Sequence, residues 1–152
     1  MELPAAVVVL QHLGAEASKL AEFLRDEAAL PVRWAREGEP IRVGTVTVCP
    51  PRRVLEVFPD WTCALRPLWS VSQDRPVDVL LASLAESFGS SALAAVLTGM
   101  GHDGASGARV LRESGGTVLV QDPQEAAYSG MPRAVVDAGG VDLVLPLHEI
   151  VR

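Results

Sequence analysis

Histidine, aspartate and a serine or cysteine are the side chains from which a hydrolase builds a proton relay. His12 stands just past the apolar run "AAVVVLQ" at 5–11, and Asp103 just past "ALAAVLT" at 92–98, inside "LTGMGHDGASG". In such a relay the histidine takes the nucleophile's proton, while the aspartate holds the ring in the right tautomer and stabilises its charged form. Gly99, Gly101 and Gly104 let the backbone turn sharply beside Asp103. Backbone N–H groups around Met100 and Gly101 can then line an anion-binding corner. The same two ionisable residues admit a plainer reading. A histidine after a strand also serves as a hydrogen-bonded structural residue, and Asp103 can cap the helix that begins at Gly104.

The nucleophile is harder to place, since no G-x-S-x-G occurs in the 152 residues. Ser106 falls inside the helix expected after Asp103. Ser90 and Ser91 precede a strand and so sit at its amino end, the wrong edge of a parallel sheet for chemistry. Ser129, in "YSGMP", is nearer the right edge but lacks an elbow signal. Cys49 ends the run "TVTVC" and as a thiolate could serve with His and Asp, against the simpler role of a buried packing thiol. His102 is expected to face solvent, and His148, in "PLHEI", to lie on the surface.

Elements that would position these groups alternate along the chain. "AAVVVLQ" and "PVRWA" read as strands, with a helix over "GAEASKLAEFLRDEA" between them, where Leu20, Phe23 and Leu24 keep helical spacing. Residues 41–69 read as short, antiparallel strands broken by Pro and Gly. "DRPVDVLLASLAESFG" is a helix with Pro76 in its first turn and Gly89 at its end. Then follow the strand "ALAAVLT", a helix over "DGASGARVLRESGG", the strand "TVLVQ", a helix over "MPRAVVDAGG" and the strand "VDLVLP". This alternation predicts one α/β domain over 1–152: a doubly wound, mainly parallel sheet with helices on both faces and a small antiparallel hairpin.

Composition narrows the function. Apolar residues make up 49% and charged residues 21%, as in a globular chain. The net charge of −6, with one lysine and its twelve arginines dispersed, argues against a nucleic-acid surface. Cys49 and Cys63, fourteen apart, form no zinc pattern, so free thiols and no metal or other cofactor are expected. The opening "MELPAAVVVLQHL" carries an acid where a secretory signal carries a base. No apolar segment approaches the length of a membrane span. A cytoplasmic protein without membrane insertion is the expectation.

"VVVLQHL", "LPVRWAREGEPIRVGTVTVCPP", "RPVDVLLASLA", "AAVLTGMGHDGASG" and "VLVQDPQEAAYSGMPRAVVDAGGVDLVLPL", in this order, resemble the CheB-type catalytic domain of bacterial chemotaxis receptor methylesterases. "LTGMGHDG" and "QDPQEAAYSGMP" are its most specific segments. The resemblance implies a serine esterase that hydrolyses glutamate methyl esters, and deamidates glutamines, on the cytoplasmic helices of chemoreceptors. It implies His12 as general base, Asp103 as orienting carboxylate, and Met100 with Gly101 at the oxyanion corner. The family's serine stands in a "GxS[TA]GG" loop well upstream of the "QH" histidine, and eleven residues precede His12 here. That strand, loop and helix are therefore expected to be missing from these residues, as is a receiver domain. Where the family carries Asp-x-His after "APP", this chain has Arg52 and Arg53, which either pair with acidic receptor tails or decorate a solvated turn. Two functional readings follow: a methylesterase domain inactive in this form, or a non-catalytic descendant that binds receptors or signalling proteins. A bare strand edge would be covered by a partner or a second copy, so a homodimer is expected.

Overall fold

Runs of β-branched residues lie side by side at the start of the chain. Val7–Val9 (β1), Val32–Trp34 (β2) and Val46–Val48 (β3) form a parallel sheet in the order β1-β3-β2, with Val9 and Trp34 both paired to Val48. The computed structural model describes residues 3–12 and 19–151. The first part of the helix expected over 14–28 lies outside the described residues, and Leu20–Glu27 (α1) is its visible part. Its Leu20, Ala21 and Leu24 pack with Val32, Val46 and Val48, which is why the apolar stripe recurs at helical spacing. β1 is shorter than its apolar run because its partner β3 spans only three residues.

Of residues 41–69, expected as antiparallel strands, Val46–Val48 instead joins the parallel sheet, paired to strands on both sides. The antiparallel part is a hairpin, Arg53–Val57 (β4) against Cys63–Pro67 (β5), in register from Arg53↔Pro67 to Val57↔Cys63. Its tip is closed by Asp60, whose Oδ1 accepts the N–H of Thr62 at 3.0 Å and its hydroxyl at 2.6 Å. Both bonds favour the ionised form and hold the Asp60 carboxyl below its ordinary range. One helical turn, Val71–Asp74 (α2), follows.

The chain divides into two units, Met1–Asp74 and Arg75–Arg152. The second holds Pro76–Phe88 (α3), Leu93–Val96 (β6), Ala105–Glu113 (α4), Thr117–Gln121 (β7), Gly130–Asp137 (α5), Leu143–Leu145 (β8) and the short Leu147–Ile150 (α6). Strands β6, β7 and β8 are parallel, in that order. Period-2 alternation divides the sheet's residues between its faces. Ala94, Val96, Val118 and Val120 join Leu81, Ala108, Leu111 and Val135 in a core whose members are nearly all fully buried. Leu93, Leu97 and Leu143, which alternate with those core positions or follow them, are exposed. The architecture is thus mixed α/β with parallel sheets and a small antiparallel hairpin, as the sequence predicts. Among the described residues no helix is long and apolar enough to cross a membrane.

Helices α3 and α4 meet at Gly107. A Cβ there would lie 2.8 Å from the Cα and the carbonyl oxygen of Asp78, both backbone atoms that cannot step aside. Close approach of the helices therefore needs hydrogen at this position. Gly107→Ala is expected to lower the unfolding free energy by about 1–3 kcal/mol, the usual cost of overpacking. Urea denaturation followed by circular dichroism reads it, and a wild-type midpoint would show that the helices can separate without loss.

Candidate active site

Asp103 is buried, 7% exposed, and its carboxylate is occupied by another helix. Oδ2 accepts the N–H of Val77 and Oδ1 that of Asp78, both at 2.9 Å. These are first-turn donors of α3, which lack partners within their own helix. Asp78 returns the arrangement. Its Oδ1 accepts the N–H of Gly104 at 3.0 Å and of Gly107 at 2.7 Å, at the start of α4. Neither helix is capped by a side chain at its own N-cap position, where Arg75 and Gly104 adopt left-handed backbone, at φ 46° and 106°. Arg75 adds an ion pair, Nε to Asp78 Oδ2 at 2.8 Å.

The plainer reading of Asp103 therefore needs correction. It caps α3, 25 and 26 residues earlier in sequence, and not the helix that follows it. With φ at 106°, Gly104 turns the chain so that the carboxylate leaves its own helix behind. Two backbone N–H groups of α3 thus hold the Asp103 carboxylate in place.

The loop between β6 and α4 is held just as firmly. Thr98 donates its N–H to the buried Gln121 Oε1 at 2.8 Å, and Gln121 Nε2 donates to Glu125 Oε1 at 3.2 Å. The N–H of Gly99 donates to the carbonyl of Tyr128, and the N–H of Met131 to the carbonyl of Gly99, both at 2.9 Å. Tyr128 N–H also donates to Thr98 Oγ1 at 2.8 Å. A Cβ on Gly130 would lie 2.9 Å from the carbonyl oxygen of Gly101, so the two segments are in backbone contact. "LTGMG" and "QDPQEAAYSGMP" are thereby one structure. Sequence reading found both segments but not the stitches: Asp78, Gln121 and Glu125 went unmarked. An acid in the first turn of a helix that opens Arg-Pro, and an amide closing a strand, were the available signals.

Met100 is 69% exposed and Gly101 and His102 are exposed as well. Among the described residues the N–H groups of Met100 and Gly101 make no backbone hydrogen bond, as an anion corner needs. In the N-terminal unit, His12 is exposed three residues past the end of β1, at the carboxyl edge of that sheet. His148 is also exposed, 3.9 Å from Glu149.

Of the candidate nucleophiles, Ser106 lies in α4, and Ser90 and Ser91 in a 3-10 turn at the amino end of β6. Ser129 is the N-cap residue of α5. Cys49 and Cys63 are free and buried. Burial above all, with a smaller push from Cys63, raises the Cys49 thiol from its ordinary 9.0 to about 12, against a weak opposing pull from Arg53. It stays protonated at neutral pH, which removes it as a thiolate nucleophile. No cluster of three or more His, Cys, Asp or Glu that could hold a metal occurs among the described residues.

Comparison with known proteins gives a consistent result. The family model described as CheB methylesterase matches residues 1–152. The protein-glutamate methylesterase/protein-glutamine glutaminase 2 of Anaeromyxobacter dehalogenans is 41% identical over 153 residues, covering 99% of this chain and 45% of the relative. The protein-glutamate methylesterase/protein-glutamine glutaminase of Moorella thermoacetica is 39% identical, covering 97% of this chain and 36% of its own length. The chain spans less than half the length of these relatives. The crystal structure of the Thermotoga maritima CheB methylesterase catalytic domain superposes with a TM-score of 0.86 at 34% identity, covering 98% of this chain and 82% of that one.

The exchanged carboxylates generate a stability prediction. Asp78→Ala and Asp103→Ala are each expected to cost about 1–2 kcal/mol as lost caps. Because each aspartate also holds the other's backbone, the double variant should depart from additivity by at least about 0.5 kcal/mol. A double-mutant cycle in urea measures both, and strict additivity would mean two independent caps.

Proposed function

The chain belongs to the CheB methylesterase family, and we propose that it works as the esterase domain of a chemotaxis protein, on glutamate methyl esters and glutamine amides of chemoreceptor cytoplasmic helices. His12 is the general base and Asp103 its orienting carboxylate. The N–H groups of Met100 and Gly101 receive the oxyanion. The observation that carries this reading is the stitched loop at residues 98–104, where glycine turns and spent Gly99 groups leave the Met100 and Gly101 donors available.

In this mechanism the base removes a proton from a nucleophile as it attacks the ester carbonyl. Asp103, fixed by the N-terminus of α3, keeps the ring oriented and offsets its positive charge. The tetrahedral oxyanion rests on donors already in place, so no reorganisation is needed as charge develops. Methanol leaves with the proton from His12, and water then completes hydrolysis. The reading places the protein in the cytoplasm, where receptor tails end, and in signal transduction, with no nucleic-acid partner.

Residues 1–152 contain no G-x-S-x-G loop. On this reading the 152 residues alone release no methanol, since relay members act as a unit. The remaining role of the isolated chain is then binding. A homodimer belongs to the same reading, with the exposed Leu93, Leu97 and Leu143 covered by the second copy. Sedimentation should show twice the mass of the chain, and a Leu93→Glu/Leu143→Glu variant should sediment as the monomer. A wild-type monomer at high concentration would remove the dimer.

The catalytic reading is tested by joining to Met1 a segment that carries the strand, "GxS[TA]GG" serine loop and helix expected of the family. The chimera should release methanol from methyl-labelled receptor glutamates. His12→Ala and Asp103→Asn should each lower that rate about a thousandfold or more. A folded but inert chimera would leave the alternative, a non-catalytic receptor- or signalling-protein-binding descendant.

A further inference from the structure

In the N-terminal unit, three parallel strands deliver their following residues to one edge. β1 leads through Leu10 and Gln11 to His12, and β3 leads through Cys49, Pro50 and Pro51 to Arg52 and Arg53. The ladder continues one step beyond the strands, with Cys49 N–H donating to the Val9 carbonyl at 2.9 Å. The two exits therefore leave side by side.

The turn that carries the arginines is fixed. Two prolines restrict its backbone. Leu68 N–H donates to the Arg52 carbonyl at 2.9 Å, and the buried Cys49 thiol contacts the Arg53 carbonyl at 3.5 Å. Arg52 sits in left-handed backbone, φ 57°, where glycine or asparagine would be at ease and a long side chain is strained. Such strain is a pointer to function when the surroundings enforce it. Both side chains are exposed. Arg53 donates Nη1 to the Arg52 carbonyl at 3.1 Å, and among the described residues neither arginine makes an ion pair.

The chain as a whole carries −6. Its net charge disfavours an acidic polypeptide, and concentrated positive charge offsets that locally. Hydrolysis of a glutamyl ester or amide produces a carboxylate, so a segment with several such sites grows more acidic as it is processed. We infer that Arg52 and Arg53 are specificity residues that bind glutamate carboxylates flanking the residue presented to His12, giving preference for segments already carrying free glutamates. This inference rests on the esterase reading and adds to it a residue-level source of substrate choice. Guanidinium suits the task, since its fork matches a carboxylate in a bidentate contact.

The test uses the 152-residue chain and two helical peptides, each with one central glutamyl methyl ester. One carries flanking glutamates and the other glutamines at the same positions. Fluorescence anisotropy in low salt should give about tenfold tighter binding of the glutamate peptide. Arg52→Gln/Arg53→Gln should remove that preference and leave the glutamine peptide's affinity unchanged. Arg42→Gln, a charge loss ahead of β3 at the opposite edge, should leave both affinities as they are. Added salt should erode the preference, as it does for exposed charges. If the double variant keeps the preference, or the parent shows none, the arginines are not the recognition residues and the esterase reading stands untouched. If the parent binds neither peptide, the receptor-tail reading fails and the inference with it.

Discussion

Two carboxylates exchanged between two helix starts organise the C-terminal unit. The N-terminus of a helix carries unpaired N–H groups and a positive dipole end. Here α3 and α4 bring two such ends together, and the hydrogen-only side chain of Gly107 sets how close they come. Left alone, the ends would repel and four or more donors would lie unsatisfied. Asp103 serves α3 and Asp78 serves α4, so each helix supplies the group the other needs. The packing of Leu81, Ala108 and Leu111 beneath them follows from that approach. So does the position of the loop that carries Met100.

On the proposed relay, structural and chemical duties fall on the same residue, Asp103. A side chain that orients a base has to be immobile, and backbone N–H groups on a helix start are stiffer supports than another flexible side chain. The loop facing the proposed oxyanion is treated alike. Gly99 spends both of its backbone groups on the Tyr128–Met131 segment, while Gln121 and Glu125 brace it from below. Rigidity reaches the site from several directions, each of them a backbone contact or a buried amide. Asp142 performs a similar service at the far end of β7, accepting the N–H of Val118 at 2.7 Å and Arg112 Nε at 3.0 Å. Chiefly the Val118 bond holds its carboxyl below the ordinary range.

What could be read from the chain beforehand follows the reach of local rules. β7 matches its expected span, Thr117–Gln121, because Gly115 and Gly116 precede it and Asp-Pro follows. α3 begins two residues later than expected, at Pro76, because Arg75 turns left-handed. The one-turn helices α2 and α6 were invisible, being too short to show a period. Asp103 was picked out by its glycine frame, yet its hydrogen-bond partners were not, since a bond between residues 25 apart leaves no trace in spacing. For the same reason nothing in the spacing marks Asp78. The role of Cys49 as a buried packing thiol, by contrast, was among the readings of the apolar "TVTVC" run, and burial is the main cause that decides its chemistry.

The exchange also bears on how the unit forms. A helix start normally matures locally, since its cap lies next to it in sequence. In this unit neither start is complete until the other helix has arrived, and the chain between them must first close on itself. β6 lies within that closing segment. The contacts that complete either helix start therefore span the chain from α3 through β6 to the start of α4. Asp103, the carboxylate proposed to orient the base, thus has its backbone partners only where the two helices have met.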